Sequence, residues 1–186
     1  MSFAAALVQE PFSPVRALPA LEVVGPAGAP AVLVLGGISA DRHVCRNEQN
    51  RAPGWWDEIA GAGRTLDTRR YLLVGAEFID GPGPVTTHDQ ADAITAALDR
   101  AGVDALHAVV GASYGGMVAL ALAERYPDRV DRLVVIGAAH RSHAMTSARR
   151  LVQRRIVELG IATGRPREAL SLARGLALTK IGRAHV

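Results

Sequence analysis

Leu106-His107-Ala108-Val109-Val110-Gly111-Ala112-Ser113-Tyr114-Gly115-Gly116 runs from an apolar segment into the pattern G-x-S-x-G. Residues 106–110 are mostly apolar and predict a short strand. Residues 116–126 predict a helix, stopped near Pro127. Strand, pentapeptide and helix in that order predict a sharp turn that holds Ser113 in a strained backbone conformation. The hydroxyl would then stand at the strand's C-terminal end, with the helix N-terminus beneath it. Glycines at 111, 115 and 116 leave room for the turn. An ordinary Gly-rich strand-to-helix turn would share the pentapeptide, but the flanking segments favour a reactive serine.

Working outward, Ala31-Val32-Leu33-Val34-Leu35 and Tyr71-Leu72-Leu73-Val74-Gly75-Ala76 are apolar runs of strand length, as is Leu133-Val134-Val135-Ile136. Leu21-Glu22-Val23-Val24 predicts a shorter strand, ended by Gly25-Pro26. A helix is expected over 89–101, with Ile94, Ala97, Leu98 and Ala101 on one face and Thr86, Thr87 or His88 as its cap. Residues 142–159 predict another, with Met145, Ala148, Val152, Ile156 and Leu159 on one stripe, and a last one is expected over 166–178. Residues 1–20 and 41–70 read as largely irregular. Continuous apolar strands alternating with helices imply an α/β fold whose mostly parallel sheet is covered on both faces.

Composition sets broad bounds. The chain has 186 residues, 49% hydrophobic and 21% charged, enough for one domain with a real core. The formal net charge is +3 with no long basic run, so nucleic acid is not an expected partner. The single cysteine, Cys45, excludes an internal disulfide and fits a reducing compartment. No motif surrounds it, so a bystander thiol is expected. Met1 to Pro11 lacks the basic start and apolar length of a signal peptide, and no apolar run reaches membrane-spanning length. The cytoplasm is the expected compartment, with no membrane partner.

Beyond the pentapeptide, longer segments carry a resemblance. Leu35-Gly36-Gly37-Ile38-Ser39-Ala40-Asp41-Arg42-His43-Val44, Gly54-Trp55-Trp56-Asp57, Gly63-Arg64-Thr65-Leu66-Asp67-Thr68-Arg69-Arg70-Tyr71, Val110 to Met117 and Arg125-Tyr126-Pro127-Asp128-Arg129-Val130 together resemble homoserine O-acyltransferases of the α/β-hydrolase superfamily. The matches span roughly residues 31–156 in the family's order. General esterases lack the Gly-Trp-Trp-Asp segment. The resemblance implies acetyl or succinyl transfer from acyl-CoA, a co-substrate rather than a tightly bound cofactor, to the hydroxyl of homoserine, or in some members serine. The route is ping-pong through an acyl-serine, in methionine biosynthesis. No metal or other cofactor is implied.

Carried over by position, the resemblance makes Ser113 the nucleophile and the amides of Tyr114 and Ile38 the oxyanion donors, each worth about 3 kcal/mol in the transition state. Arg154 falls near a family arginine that binds the amino acid's carboxylate, and a slip of register would substitute Arg150 or Arg155. A solvated helix face is the alternative for these arginines. Two departures touch the acyl pocket: Gly37-Ile38-Ser39-Ala40 stands for the usual Leu-Thr-Gly setting, and Tyr114 for a frequent Met. The resemblance further implies an N-terminal core over residues 1–140, the start of a helical lid over 141–179, and a homodimer through the lid helices of a full-length protein.

In this fold the acid and the histidine of the triad follow the serine, from strands beyond the lid. None of His43, His88, His107, His140, His143 and His185 stands in the expected late Gly-His-Asp setting. His107 reads as structural, and His140 or His143 as a remote surrogate base. The chain is therefore expected to be an N-terminal fragment with little activity of its own. Lys180-Ile181-Gly182-Arg183-Ala184-His185-Val186 is what the start of a widely used short-read sequencing adapter encodes, so residues 180–186 are expected to be non-native and His185 functionless. A serine hydrolase of the same fold and a non-catalytic short protein are the competing functions. Gly54-Trp55-Trp56-Asp57 favours the transferase over the first. The sheet edge left unpaired argues against the second.

Overall fold

The computed structural model describes residues 18–178 other than Pro82 and Ser142. The expectations for residues 1–17 and 179–186, His185 included, lie outside the described residues. The described chain forms two compact units, one ending at His140 and the other beginning at Arg141.

The first unit is built on a 5-stranded sheet. Its strands are β1 (Leu21–Val24), β2 (Ala31–Leu35), β3 (Leu72–Ala76), β4 (Ala108–Ala112) and β5 (Leu133–Ile136), in the order β1-β3-β2-β4-β5. β2, β3, β4 and β5 pair in parallel, while β1 joins β3 antiparallel at one edge. β2, β3 and β4 are largely buried on both faces, which explains why β2 reads as five consecutive apolar residues, all buried, whereas β5 is largely exposed. The elbow strand starts two residues later than 106–110 predicts. Leu106 makes only an isolated bridge to Val130, and His107 lies before the strand, stacked on Tyr71 with Arg132 against its ring. The ladder proper needs partners on β2 and β5, and those begin opposite Ala108 and Val109.

The two faces of the sheet are covered differently. On one face α1 (Thr87–Arg100) and α2 (Tyr114–Arg125) bury Ile94, Leu98, Val118 and Leu122 against Leu33, Leu35, Val74 and Val109. Thr86 is the α1 cap: its hydroxyl accepts from the Asp89 N–H, and the Asp89 carboxylate accepts from the Thr86 N–H, a complete capping box. Among the described residues of the first unit, no helix covers the other face. Residues 41–71 fold over it as turns, bury Val44, Cys45 and Ala60 against Val32, Val34, Leu73 and Val110, and pack the half-buried Leu66 and the paired rings of Trp55 and Trp56 against the same cluster. Sheet coverage on both faces was expected; coverage of one by irregular chain follows from the glycines, Pro53 and the polar residues of that segment, which cannot sustain a helical stripe.

The second unit is a helical hairpin of α3 (Ala144–Ala162) and α4 (Pro166–Leu178). Gly160 lets the helices touch: a β-carbon there would lie 2.1 Å from the Ala169 β-carbon. Gln153 Nε2 donates to the Ala173 carbonyl at 2.8 Å. Met145, Val152 and Leu159, all on the expected stripe, are exposed, as are Ile161 and Leu172. No described helix is long and apolar enough to cross a membrane.

Candidate active site

Ser113 directly follows β4 and caps α2 with φ 54° and ψ −117°. Among the described residues it alone, apart from glycines, has positive φ. A residue with a β-carbon is strained there. Two features of the backbone hold it. The Ser113 N–H donates to the Ile136 carbonyl of β5 at 2.8 Å, and its own carbonyl accepts from the Gly116 and Met117 N–H groups. The side chain is exposed, and among the described residues no hydrogen bond reaches its hydroxyl.

The three glycines act by steric allowance rather than by positive φ. A β-carbon on Gly111 would meet the Gly115 carbonyl oxygen at 2.5 Å; one on Gly116 would meet the Ala138 β-carbon at 2.7 Å. Gly115 is the tightest against another strand, with the Gly36 and Leu35 carbonyl oxygens both at 2.4 Å from a would-be β-carbon. Its N–H donates to the Gly36 carbonyl at 2.9 Å. That bond fastens the loop after β2 to the first turn of α2, and so brings the Ile38 segment beside the elbow.

Tyr114 opens α2, where the N–H has no partner within the helix. Its ring packs edge-on against Phe78, with centroids 4.8 Å apart. Ile38 lies in a turn closed by the Ala40 N–H donating to the Gly37 carbonyl at 2.9 Å, and its side chain is 72% exposed. Ile38 and Tyr114 line one open cleft of about 500 Å³, together with Asp41, Glu77, Asp80 and Gln90. Gln90 shapes its floor: its side chain accepts from the Ile79 N–H and donates to the Ile79 carbonyl, both at 2.8 Å. Sequence reasoning gave no role to the carboxylates of Asp41, Glu77 and Asp80, because they come from two loops that meet only in the fold, although Asp41 stands in the quoted segment 35–44. Arg42 reaches back from the first of these loops to pair with Glu77.

Arg154 belongs to the second unit, where Nε pairs with Glu158 at 3.3 Å, one helical turn on; Arg155 pairs with the same carboxylate at 2.9 Å. Of the histidines, His43 is buried. Its Nδ1 lies 2.7 Å from Glu22 Oε1 and its Nε2 2.9 Å from the Ala52 carbonyl. Both partners only accept, so the protonated ring, with both nitrogens donating, satisfies both contacts. Burial by itself pulls the pKa down, but the Ala52 carbonyl and the Glu22 carboxylate outweigh it and the net shift is upward. His88 pairs with Glu124 at 3.0 Å. His140 is exposed, and His143 caps α3 by accepting from the Met145 N–H at 3.2 Å. Cys45 is buried and its thiol pKa is raised, by burial first and then by Asp57 and Glu22, so it is a poor nucleophile.

Comparison with known proteins agrees with this architecture. The alpha/beta hydrolase fold family matches residues 30–159. Homoserine O-succinyltransferase of Xanthomonas campestris is 42% identical over 161 residues, covering 84% of this chain and 44% of that protein. Homoserine O-acetyltransferase of Symbiobacterium thermophilum is 35% identical, over 72% of this chain and 41% of that protein. Serine O-succinyltransferase of Emericella nidulans is 34% identical, over 68% of this chain and 28% of that protein. The chain thus spans less than half the length of these relatives. Among solved structures, homoserine O-acetyltransferase from Bacillus anthracis superposes with a TM-score of 0.75 at 22% identity, over 86% of this chain and 53% of that one. Esterase E22 superposes with a TM-score of 0.72 at 24% identity, over 86% and 54%. With a matching sheet, elbow and sequence, the chain belongs to the alpha/beta hydrolase fold family, within which it is related to the homoserine O-acyltransferases.

Proposed function

We propose that this chain is the N-terminal portion of an O-acyltransferase that moves an acetyl or succinyl group from acyl-CoA to the hydroxyl of L-homoserine. Ser113 attacks the thioester carbonyl, the bond to sulfur breaks, and coenzyme A leaves as the thiol. Homoserine then attacks the acyl-serine and regenerates the hydroxyl. The Tyr114 and Ile38 amides stabilise the oxyanion of both tetrahedral intermediates. The strained, exposed Ser113 at the head of α2 is the observation that carries this reading. The acceptor comes from the kinship to homoserine and serine acyltransferases. The base and its acid partner come from the part of the relatives' length that this chain does not span. Arg154, released from Glu158, binds the acceptor's carboxylate, and the exposed apolar side chains of α3 and α4 support a homodimer through these helices.

The test is a coupled assay of the full-length enzyme with homoserine and each acyl-CoA. Ping-pong kinetics and loss of acylation in Ser113→Ala are expected; activity that survives that substitution would sink the reading. Arg154→Ala should raise the homoserine KM with little change in kcat. A serine esterase is the second reading: the strained, exposed Ser113 would serve it equally, with water in place of homoserine attacking the acyl-serine. Hydrolysis of acyl-CoA at a rate that homoserine does not alter would select it.

A further inference from the structure

Gly54-Trp55-Trp56-Asp57 has no task in the acyl-transfer scheme, yet each of its residues is spent on one loop. A β-carbon on Gly54 would lie 2.3 Å from Cys45 Cα and 2.4 Å from the Val44 carbonyl oxygen. Only glycine lets residues 54–56 run alongside 43–45, where the Trp55 N–H donates to the His43 carbonyl at 3.2 Å and the Trp56 N–H to the Val44 carbonyl at 2.9 Å. Asp57 secures the far end, accepting from the Arg46 N–H at 2.8 Å and Nε at 3.0 Å. From that base the Trp55 ring reaches back across the loop. Its Nε1 donates to the Asp41 carbonyl at 3.1 Å. Its six-membered ring lies beside Gly36, so close that a β-carbon there would come within 3.0 Å of Cζ2. One rigid side chain therefore touches both ends of the Gly36–Asp41 turn, and Ile38 stands between them.

We propose that Trp55 is a positioning residue for the oxyanion site. It fixes the turn so that the Ile38 N–H stays directed at the oxyanion formed on Ser113. This rests on the acyl-serine reading above. A donor carried on a loop stabilises a transition state only if its orientation is settled before the charge develops. Two contacts from an indole with only two side-chain torsions supply that. The Gly115–Gly36 bond anchors the start of the turn to α2, and Trp55 anchors its end.

The test compares Trp55→Phe, which keeps an aromatic ring but removes the Nε1 donor and the outer ring atoms beside Gly36, with Trp55→Leu, which removes the aromatic ring altogether, both in the full-length enzyme. The acylation rate per active site should fall about 3- to 10-fold in the first and about 10- to 100-fold in the second, the range expected when a donor is displaced but not deleted. The homoserine KM should stay within about twofold. Affinity for a boronic acid, which forms a tetrahedral anion on the serine, should weaken by the same factor as the rate. In the present chain, amide exchange at Ala40 should quicken in Trp55→Phe. An unchanged rate per active site and unchanged boronic acid affinity, with only the active fraction or Tm reduced, would overturn the proposal. Trp55→Phe decides the matter if Trp55→Leu does not fold. Ser113→Ala separates the two levels: if it stays active the acyl-serine reading falls, whereas an inactive Ser113→Ala beside unaffected Trp55 variants removes only the positioning role.

Discussion

Ser113 holds a backbone conformation, φ 54° and ψ −117°, that costs a residue with a β-carbon about 1–3 kcal/mol. Glycine adopts such positive φ freely. Ser113→Gly should therefore raise stability by about 1 kcal/mol while abolishing acylation, and Ser113→Ala should abolish acylation without that gain. Urea denaturation of the two variants checks it; equal midpoints would show that the turn is not strained. Gly115 predicts the opposite sign. Its would-be β-carbon meets backbone oxygens of β2 and the following loop, which cannot swing aside. Gly115→Ala should cost about 1–3 kcal/mol, the usual range for overpacking, and should slow acylation by pushing the Ile38 loop away. A Tm within 1 °C of the parent would contradict this, given the ~2–4 °C per kcal/mol expected for a domain of this size.

At the level of elements, the loop of residues 41–57 is fastened to β1 by the Glu22–His43 ion pair. Asn47 Nδ2 donates to the same Glu22 oxygen at 2.6 Å, and Asp41 accepts from the His43 N–H at 2.8 Å. His43 binds its proton more tightly folded than unfolded, so its contribution is whole below pH ~6.5 and fades as pH rises through the higher folded pKa. His43→Gln should be less stable than the parent at pH 6 and should flatten the loss of stability on going to alkaline pH. Chemical denaturation across that range measures both; parallel curves would mean that His43 does not titrate with folding. Such a clamp was not legible in the sequence, since Glu22 and His43 are 21 residues apart. The strands were legible because both faces of a parallel sheet are buried and leave unbroken apolar runs. The elbow serine was legible because G-x-S-x-G joins a strand to a helix. The cleft carboxylates Asp41, Glu77 and Asp80 were not, because loops after β2 and β3 bring them together through topology alone.

For the whole molecule, the decisive feature is the outer edge of the sheet. β5 is the last strand of the described sheet, and Leu133, Val134 and Ile136 are 37%, 45% and 44% exposed. Among the described residues no strand pairs with the outer side of β5, and an apolar edge in that state templates pairing with other chains. The 186-residue protein should associate at micromolar concentration, and Val134→Lys should suppress this. Sedimentation velocity would show it; a monomeric parent would mean that the edge is protected. Under the proposed function, in which the base and acid come from the part of the relatives' length that this chain does not span, acyl transfer by this chain should lie about 10⁴- to 10⁶-fold below that of an enzyme with the whole triad, with oxyanion stabilisation and binding left. Turnover near 1 s⁻¹, ordinary for an enzyme, would instead assign the base to a residue such as His140.

The stacking of Trp55 on Trp56, with ring centroids 5.3 Å apart, has a spectroscopic consequence. These are the chain's 2 tryptophans, so its red-excited emission comes wholly from one brace over one face of the sheet. Emission will therefore follow detachment of that loop rather than loss of the helices. If the loop opens first, the fluorescence transition will precede the far-ultraviolet circular dichroism transition, and a two-state fit to either one will describe only part of the protein.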